Sequence, residues 1–358
     1  MELNEFRRRV VSGTFTQYRS LADAIRQMKF VQADPIRSPA RAQDLILRHR
    51  VEDYLAGQLE DEFPNLEAEE GYLFAYGFMT PDIWQRLGRK KVGRLSKLEL
   101  AVLKAVGEVK DLHPRDLEKQ FGRKSVTNAW GGTSRQTKRI LEKLHALGRL
   151  RVSRRENGLR VYQLPRDSST MIGSSSDRYR YLAMETAKVF GPTTKSFLIS
   201  ELRSQNHLLP SRLDRVATLD SLIDSGLLSE VVVDGVNYLW EGESWSDDTI
   251  EDRVRILAPF DPLIRDRERF EKLWGWSYRF EAYVPASKRE RGYYAMPVLW
   301  RDEVIGWANA NVIDRTLEVE VGYATRQPRS RAFRQGIEAE AQAMAQFLKL
   351  DYFAIDHR

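Results

Sequence analysis

TSRQTKRILEKLHALGRLRVSRRENGLRVYQL, residues 133–164, decides the fold. Its first half repeats apolar residues at helical spacing. Ile140, Leu141, Leu144 and Leu147 share one face, and Arg135, Lys138, Arg139 and Lys143 occupy the rest. Gly148 ends the run. Two alternating stretches follow, 150–154 and 160–164, joined by Glu156-Asn157-Gly158, and Asn-Gly is a strong hairpin signal. Upstream, helices are expected over 96–106, with Leu98, Leu100, Leu103 and Val106 apolar, and over 114–121, just after His113. A break is expected at Trp130-Gly131-Gly132. Three helices and a hairpin are the order of a winged helix-turn-helix, whose third helix enters the major groove of DNA.

Charge points the same way. From Arg86 to Pro165 there are 21 Lys and Arg against 7 Asp and Glu, a net of +14. From Val51 to Gln85 there are 9 acids and no Lys or Arg. A basic module beside an acidic segment indicates a polyanionic partner with a defined docking side. Arg149, Arg151, Arg154, Arg155 and Arg160 line the expected wing, where they would meet phosphates. With Arg41, Arg135, Lys138 and Arg139, the last four of these make up the candidate DNA-binding set. A charge run is more often a solvated face, but this one is nearly one-signed and lies on a DNA-shaped unit.

Outward from this unit, residues 167–177 (DSSTMIGSSSD) read as a polar linker, and 178–250 as a weaker copy of the same plan. The copy has helices over 180–190, 194–203 and 212–225 and a hairpin around Asp234-Gly235. Residues 251–358 alternate like antiparallel strands, over 278–284, 293–300, 303–309 and 316–322, before a helix from about 332 to 348. Residues 1–92 are expected to be helical over 2–27, with a break at Gly13-Thr14, and again from about Pro39 to His49. A loop is expected around Asp61-Glu62-Phe63-Pro64, and a helical or buried run over 71–79. The fold class is therefore α+β: tandem winged helices over 93–166 and 178–250, then a C-terminal antiparallel sheet or small barrel closed by a helix.

The stretch from Lys29 to Arg50, KFVQADPIRSPARAQDLILRHR, holds the one compact polar pair. If the backbone to Asp34 is extended, Gln32 and Asp34 leave the same face. A carboxylate can orient or deprotonate a water, and a carboxamide can hold that water. Asp34-Pro35 equally resembles a helix start, with Asp as N-cap and Pro at the first helical position, and local evidence favours that reading. The basic helix that follows carries Arg41, Arg48 and Arg50.

Several chemistries lack their residues. The 358-residue chain has no cysteine, hence no disulfide, thiol nucleophile or Cys-based zinc site, which fits a cytoplasmic setting. The five histidines are scattered without metal-ligand spacing. No Gly-rich nucleotide motif, GxSxG elbow, membrane-length apolar run or secretory h-region is found. No metal, cofactor or membrane is therefore expected, and the chain is read as a monomer. Tyr293 and Tyr294 could stack on bases, although packing is the commoner role for such aromatics.

Four stretches carry a family resemblance: FVQADPI at 30–36, the run from Trp130 to Leu164, LIDSGLLSEVVVDGVNYLW at 222–240, and RILAPFDPLIRDRERFEKLWGWSYRFEAYVPASKRERGYYAMPVL at 255–299. Through them the chain resembles the AlkZ-like winged-helix DNA glycosylases (the AlkZ, AlkX and YcaQ group) over essentially its whole length. The resemblance implies a metal-free monofunctional glycosylase acting on alkylated purines in double-stranded DNA, including N7-linked guanines in interstrand crosslinks. It makes Gln32-Ala33-Asp34 the Gln-x-Asp form of the catalytic motif. One departure stands out. Relatives carry an EYWxHxxS-like stretch where this chain has GYLFAYGFMTP, with Ala75 in the histidine's place. Without the resemblance, a non-catalytic winged-helix DNA-binding regulator would be the favoured reading, and the change at Ala75 also makes a non-cutting lesion binder an alternative.

Overall fold

The computed structural model describes residues 1–87, 94–127, 133–165, 172–242, 249–324 and 326–358. The expected break at 130–132 and much of the expected linker, 167–171, lie outside them. Helix α1 (Leu3–Thr14) and helix α2 (Leu21–Met28) open the chain, and the Ser20 side chain caps α2 by accepting the Asp23 N–H at 3.1 Å. Strand β1 (Phe30–Gln32) follows, then α3 (Ala42–Leu47), which begins later than the expected Pro39. Helix α4 (Gln58–Glu62) occupies the acidic stretch read as a loop.

Residues 71–79 are largely buried, as one expectation had it, but they are not helical. They lie in a hairpin, β2 (Glu69–Tyr72) and β3 (Tyr76–Met79), that joins β1 in the order β1-β3-β2. Two glycines explain why. Gly71 and Gly77 are register partners, and Gly77 also faces Gln32 on β1. A Cβ on Gly77 would lie 2.4 Å from the Val31 carbonyl oxygen, and one on Gly71 would lie 2.2 Å from the Trp84 ring. The bare backbone lets β1 and Trp84, on α5 (Pro81–Arg86), close against it.

The basic unit contains α6 (Lys97–Gly107), α7 (Pro114–Phe121), a short hairpin of β4 (Ser125–Thr127) and β5 (Thr133–Arg135), α8 (Gln136–Ala146), and the hairpin β6 (Arg151–Glu156) and β7 (Leu159–Gln163). Ser96 and Glu99 form a capping box on α6. The Asn157-Gly158 turn has φ of 49° and 78°, as a type I′ turn requires. Glu69 and Glu70 of β2 dock this hairpin. Arg151 Nε donates to both Glu69 oxygens at 3.0 Å, and Arg155 and Arg160 both donate to Glu70. Burial alone would raise the Glu70 carboxyl, but the two guanidiniums bring it below its usual value.

The next unit repeats the order with α9 (Ser175–Phe190), α10 (Lys195–Glu201), α11 (Arg212–Asp224) and the hairpin β8 (Leu228–Val233) and β9 (Val236–Glu241). Helix α9 begins inside the expected linker, where Ser174 and Asp177 make a capping box. The C-terminal part comprises β10 (Val254–Ile256), α12 (Pro262–Arg265), α13 (Arg267–Trp274), β11 (Met296–Trp300), β12 (Glu303–Ile313), β13 (Thr316–Tyr323), α14 (Arg331–Phe347) and β14 (Tyr352–His357). Its five strands run in sequence order, antiparallel until β14, which returns through α14 to lie parallel to β13. The sheet is thus not wholly antiparallel. Residues 278–284, read as a strand, are not one. The buried Glu281 carboxylate instead accepts the backbone N–H groups of Glu290, Arg291 and Gly292 at 2.8–3.3 Å, folding the segment into a loop.

Buried polar contacts fasten the N-terminal part to this sheet. Arg48 pairs with Glu340, His49 Nε2 donates to the Ile256 carbonyl at 2.9 Å, and Arg50 makes a two-pronged pair with Asp261 at 2.8 and 2.9 Å. Arg48 and Arg50, read as basic helix residues, therefore lie inside the protein.

Two substitutions test this architecture. Gly77→Ala should push β1 away and lower the unfolding free energy by about 1–3 kcal/mol in denaturant titration. Glu70→Ala should strand Arg155 and Arg160 and cost about 3–5 kcal/mol, whereas Arg154→Ala, on a partly exposed pair, should cost about 1 kcal/mol or less. Because Glu70 is held below its unperturbed 4.5, its contribution is complete at neutral pH and is lost as pH falls through the lowered value.

Candidate active site

Gln32 is the last residue of β1, and Asp34 lies two residues on, in the turn that leaves the sheet. The Ala33 N–H donates to the Tyr76 carbonyl at 2.9 Å, which holds this turn against the β2–β3 hairpin. Asp34 does not cap a helix. Its Oδ1 accepts the Ile36 N–H at 2.9 Å in a local turn, and its own N–H donates to Gln43 Oε1 at 3.4 Å. Oδ2 has no hydrogen-bond partner among the described residues. Burial raises the Asp34 carboxyl above its ordinary value, and the Ile36 N–H offsets this only in part. A carboxylate so placed takes up a proton more readily than a solvated one.

Gln32 is oriented by a partner that the sequence reading did not single out. Arg265 Nη1, on α12, donates to Gln32 Oε1 at 2.9 Å, and Arg265 Nη2 donates to Glu201, at the end of α10, at 3.0 Å. A guanidinium only donates, so the carboxamide oxygen must face Arg265. The Gln32 NH2 then points away, and it meets no acceptor among the described residues. The pair thus offers one free acceptor and one free donor, the minimum needed to hold a water by its hydrogen and its oxygen. Arg265 lies within the 255–299 run that carries the family resemblance, so its neighbourhood, though not its role, was legible.

Two tyrosine hydroxyls sense the Asp34 charge. The hydroxyls of Tyr283 and Tyr294 are both raised, by burial first and then by the Asp34 charge, so both rings lie within electrostatic reach of it. Tyr294 is 1% exposed and its hydroxyl has no hydrogen-bond partner. Tyr283 is 80% exposed. Ala75 lies at the turn between β2 and β3, where its carbonyl accepts the Leu73 N–H at 3.1 Å, two residues before the Gly77 that faces Gln32. Ala75, expected in the place of a histidine, is therefore close to the pair and carries a methyl group. Gln32 and Asp34 are both partly exposed, so solvent reaches the pair. Among the described residues, no three His, Asp or Glu converge on a metal-sized site.

The candidate DNA-binding residues separate into two groups. Arg135, Lys138 and Arg139 are exposed at and just after the start of α8. Arg41, Arg151, Arg155 and Arg160 are instead drawn onto carboxylates, against expectation. Arg151 is 3% exposed and paired with Glu69, so it reaches no phosphate. Arg155 and Arg160 are drawn onto Glu70, with Arg160 also lying over the Tyr76 ring at 4.1 Å. Arg41 pairs with Glu60. Arg154 is part-exposed and paired with Asp111 at 2.7 Å and with Glu156. The acidic segment is thus the internal counter-charge of the hairpin rather than a separate docking side.

A solved structure described as Streptomyces sahachiroi DNA glycosylase AlkZ matches the fold with a TM-score of 0.64 over 99% of each chain, at 15% identity. The family model described as "DNA glycosylase AlkZ-like" matches residues 25–347, from the end of α2 to the end of α14, including the pair, both three-helix units and every strand of the sheet but β14. The chain belongs to the AlkZ-like DNA glycosylase family.

Proposed function

We propose that the protein is a monofunctional DNA glycosylase that releases N7-alkylated purines, crosslinked guanines among them, with its two three-helix units acting as tandem winged helices on the duplex. The observation that carries this reading is the pair itself, a half-buried carboxylate with one open oxygen beside a carboxamide whose orientation is fixed. An N7-alkylguanine is already cationic, so its glycosidic bond breaks without a strong acid. As the C1′–N9 bond opens, its electrons neutralise the purine cation and the sugar develops oxocarbenium character. The Gln32 NH2 holds the oxygen of a water, which bonds to C1′, and Asp34 takes its proton and faces the developing positive charge. A lyase would need an amine nucleophile in place of water. Lys29, the lysine nearest the pair in sequence, has its Nζ 3.3 Å from Asp82 instead. A pair partly exposed to solvent suits a base tied to the opposite strand, which cannot be withdrawn into a closed pocket.

Base release from duplexes carrying N7-methylguanine, or an N7-guanine crosslink, tests the reading. Asp34→Asn should slow release by about 10²–10⁴-fold while leaving DNA affinity within a few-fold. Wild-type release should fall as pH drops through the Asp34 value, which lies above 3.8, and residual Asp34→Asn activity should lack this limb. Tight binding without release by the wild type would favour a lesion binder, with Ala75 the residue at issue.

Arg265→Ala should slow release by roughly tenfold or more, and should add nothing in a Gln32→Ala background, because it acts through that side chain. Charge reversal at Arg135 and Lys138 should weaken DNA binding and reduce the salt slope by about one for each lost phosphate contact. Arg151→Ala should alter stability and leave the slope unchanged.

A further inference from the structure

We infer that the loop of residues 281–293 is a preformed base-stacking element, and that Tyr283 lays its ring against a DNA base beside the sugar presented to Asp34. This rests on the proposed function for where the sugar lies; the stacking surface has its own evidence.

The loop has its shape before any ligand arrives. Glu281, 2% exposed, gathers three backbone N–H groups from the far side of the loop. Its own carbonyl accepts the Val284 N–H at 3.0 Å, and Arg289 Nε donates to the Val284 carbonyl at 2.8 Å. Asn309 on β12 donates to the Arg291 carbonyl at 2.7 Å, and the Arg291 guanidinium lies over Trp276 at 4.8 Å. Gly292, at φ 124°, permits this closure, since a Cβ there would lie 2.4 Å from Asn309 Oδ1. These bonds all point inward.

Tyr283 points outward. Its ring packs edge-on against Phe280, with centroids 6.1 Å apart, and Phe280 packs edge-on against Phe260 at 5.0 Å and Tyr294 at 5.4 Å. A ring propped from behind and bare in front loses little freedom when a flat partner covers it. Its surroundings state the partner's chemistry. Lys288 is exposed on the same loop, and Arg289 lies 5.1 Å from the centre of the Tyr293 ring, which is itself 45% exposed. Aromatic faces interleaved with cations match nucleobases joined by phosphates. Gln32 and Asp34 are partly exposed to solvent, and an adjoining stacking face can hold the nucleotide in register.

The test combines a ring series with photocrosslinking. On duplexes with N7-methylguanine, Tyr283→Phe and Tyr283→Trp should retain binding and release, while Tyr283→Ala and Tyr283→Leu should each lose on the order of tenfold. Melting temperatures should be unchanged, because the side chain lies outside the core. A 5-iodouracil next to the lesion should crosslink to Tyr283 in the wild type and in Asp34→Asn. A leucine variant as good as tryptophan, a phenylalanine variant as poor as alanine, or crosslinks confined to other residues would each overturn the inference. The crosslink needs no base release, so a protein that crosslinks through Tyr283 yet releases nothing would refute the glycosylase reading and leave stacking standing.

Discussion

Everything around the candidate site depends on charges buried in the Arg48-His49-Arg50 tripeptide. Each side chain enters a different part of the C-terminal half: Glu340 on α14, the Ile256 carbonyl on β10, and Asp261 before α12. Stranding either arginine would leave an uncompensated interior charge, at about 3–5 kcal/mol. Asp261 lies one residue before α12, and Arg265 ends that helix and grips Gln32. The contact that docks the two halves thus also sets the reach of the guanidinium that orients the carboxamide. Burial keeps the His49 imidazole well below its usual value, so this fastening stays uncharged at its centre.

A second constraint is steric. Gly71 and Gly77 make a three-stranded sheet thin enough for β1 to lie between α3 and the hairpin, and the pair emerges where β1 ends. Precision at the site therefore comes from backbone contact on one side and an ionic clamp on the other. Both come from residues far from Gln32 in the chain.

This division explains what the sequence could reveal. Helices α6 to α8, the Asn157-Gly158 and Asp234-Gly235 turns and the strands they join follow from local periodicity and turn chemistry, and the sequence located them well. The β2–β3 hairpin did not announce itself, because its aromatic run reads equally as a buried helix and its glycines act only through Trp84 and Val31. Strand β14 pairs in parallel across α14, a long-range choice with no local signature. Residues 278–284 alternate as a strand should, yet Glu281 captured the far side of the loop. At the site, the Gln32 and Asp34 positions were legible through the family resemblance. Arg265, Glu201 and Tyr283 were not, because their roles depend on tertiary contacts. The pairing of Arg151, Arg155 and Arg160 with Glu69 and Glu70 was hidden for the same reason, since counting charge along the chain cannot show which carboxylates fold against them.

That internal neutralisation has a thermodynamic consequence. A guanidinium already paired with a buried carboxylate displaces no condensed counterion when a polyanion approaches. The formal +14 of the basic segment therefore overstates how many ions leave the duplex on association, and with them the entropy that drives non-specific adhesion. On the proposed reading, the exposed cations at the start of α8 would carry most of the attraction, and the acidic hairpin would act as a fixed internal electrolyte that limits indiscriminate retention on DNA.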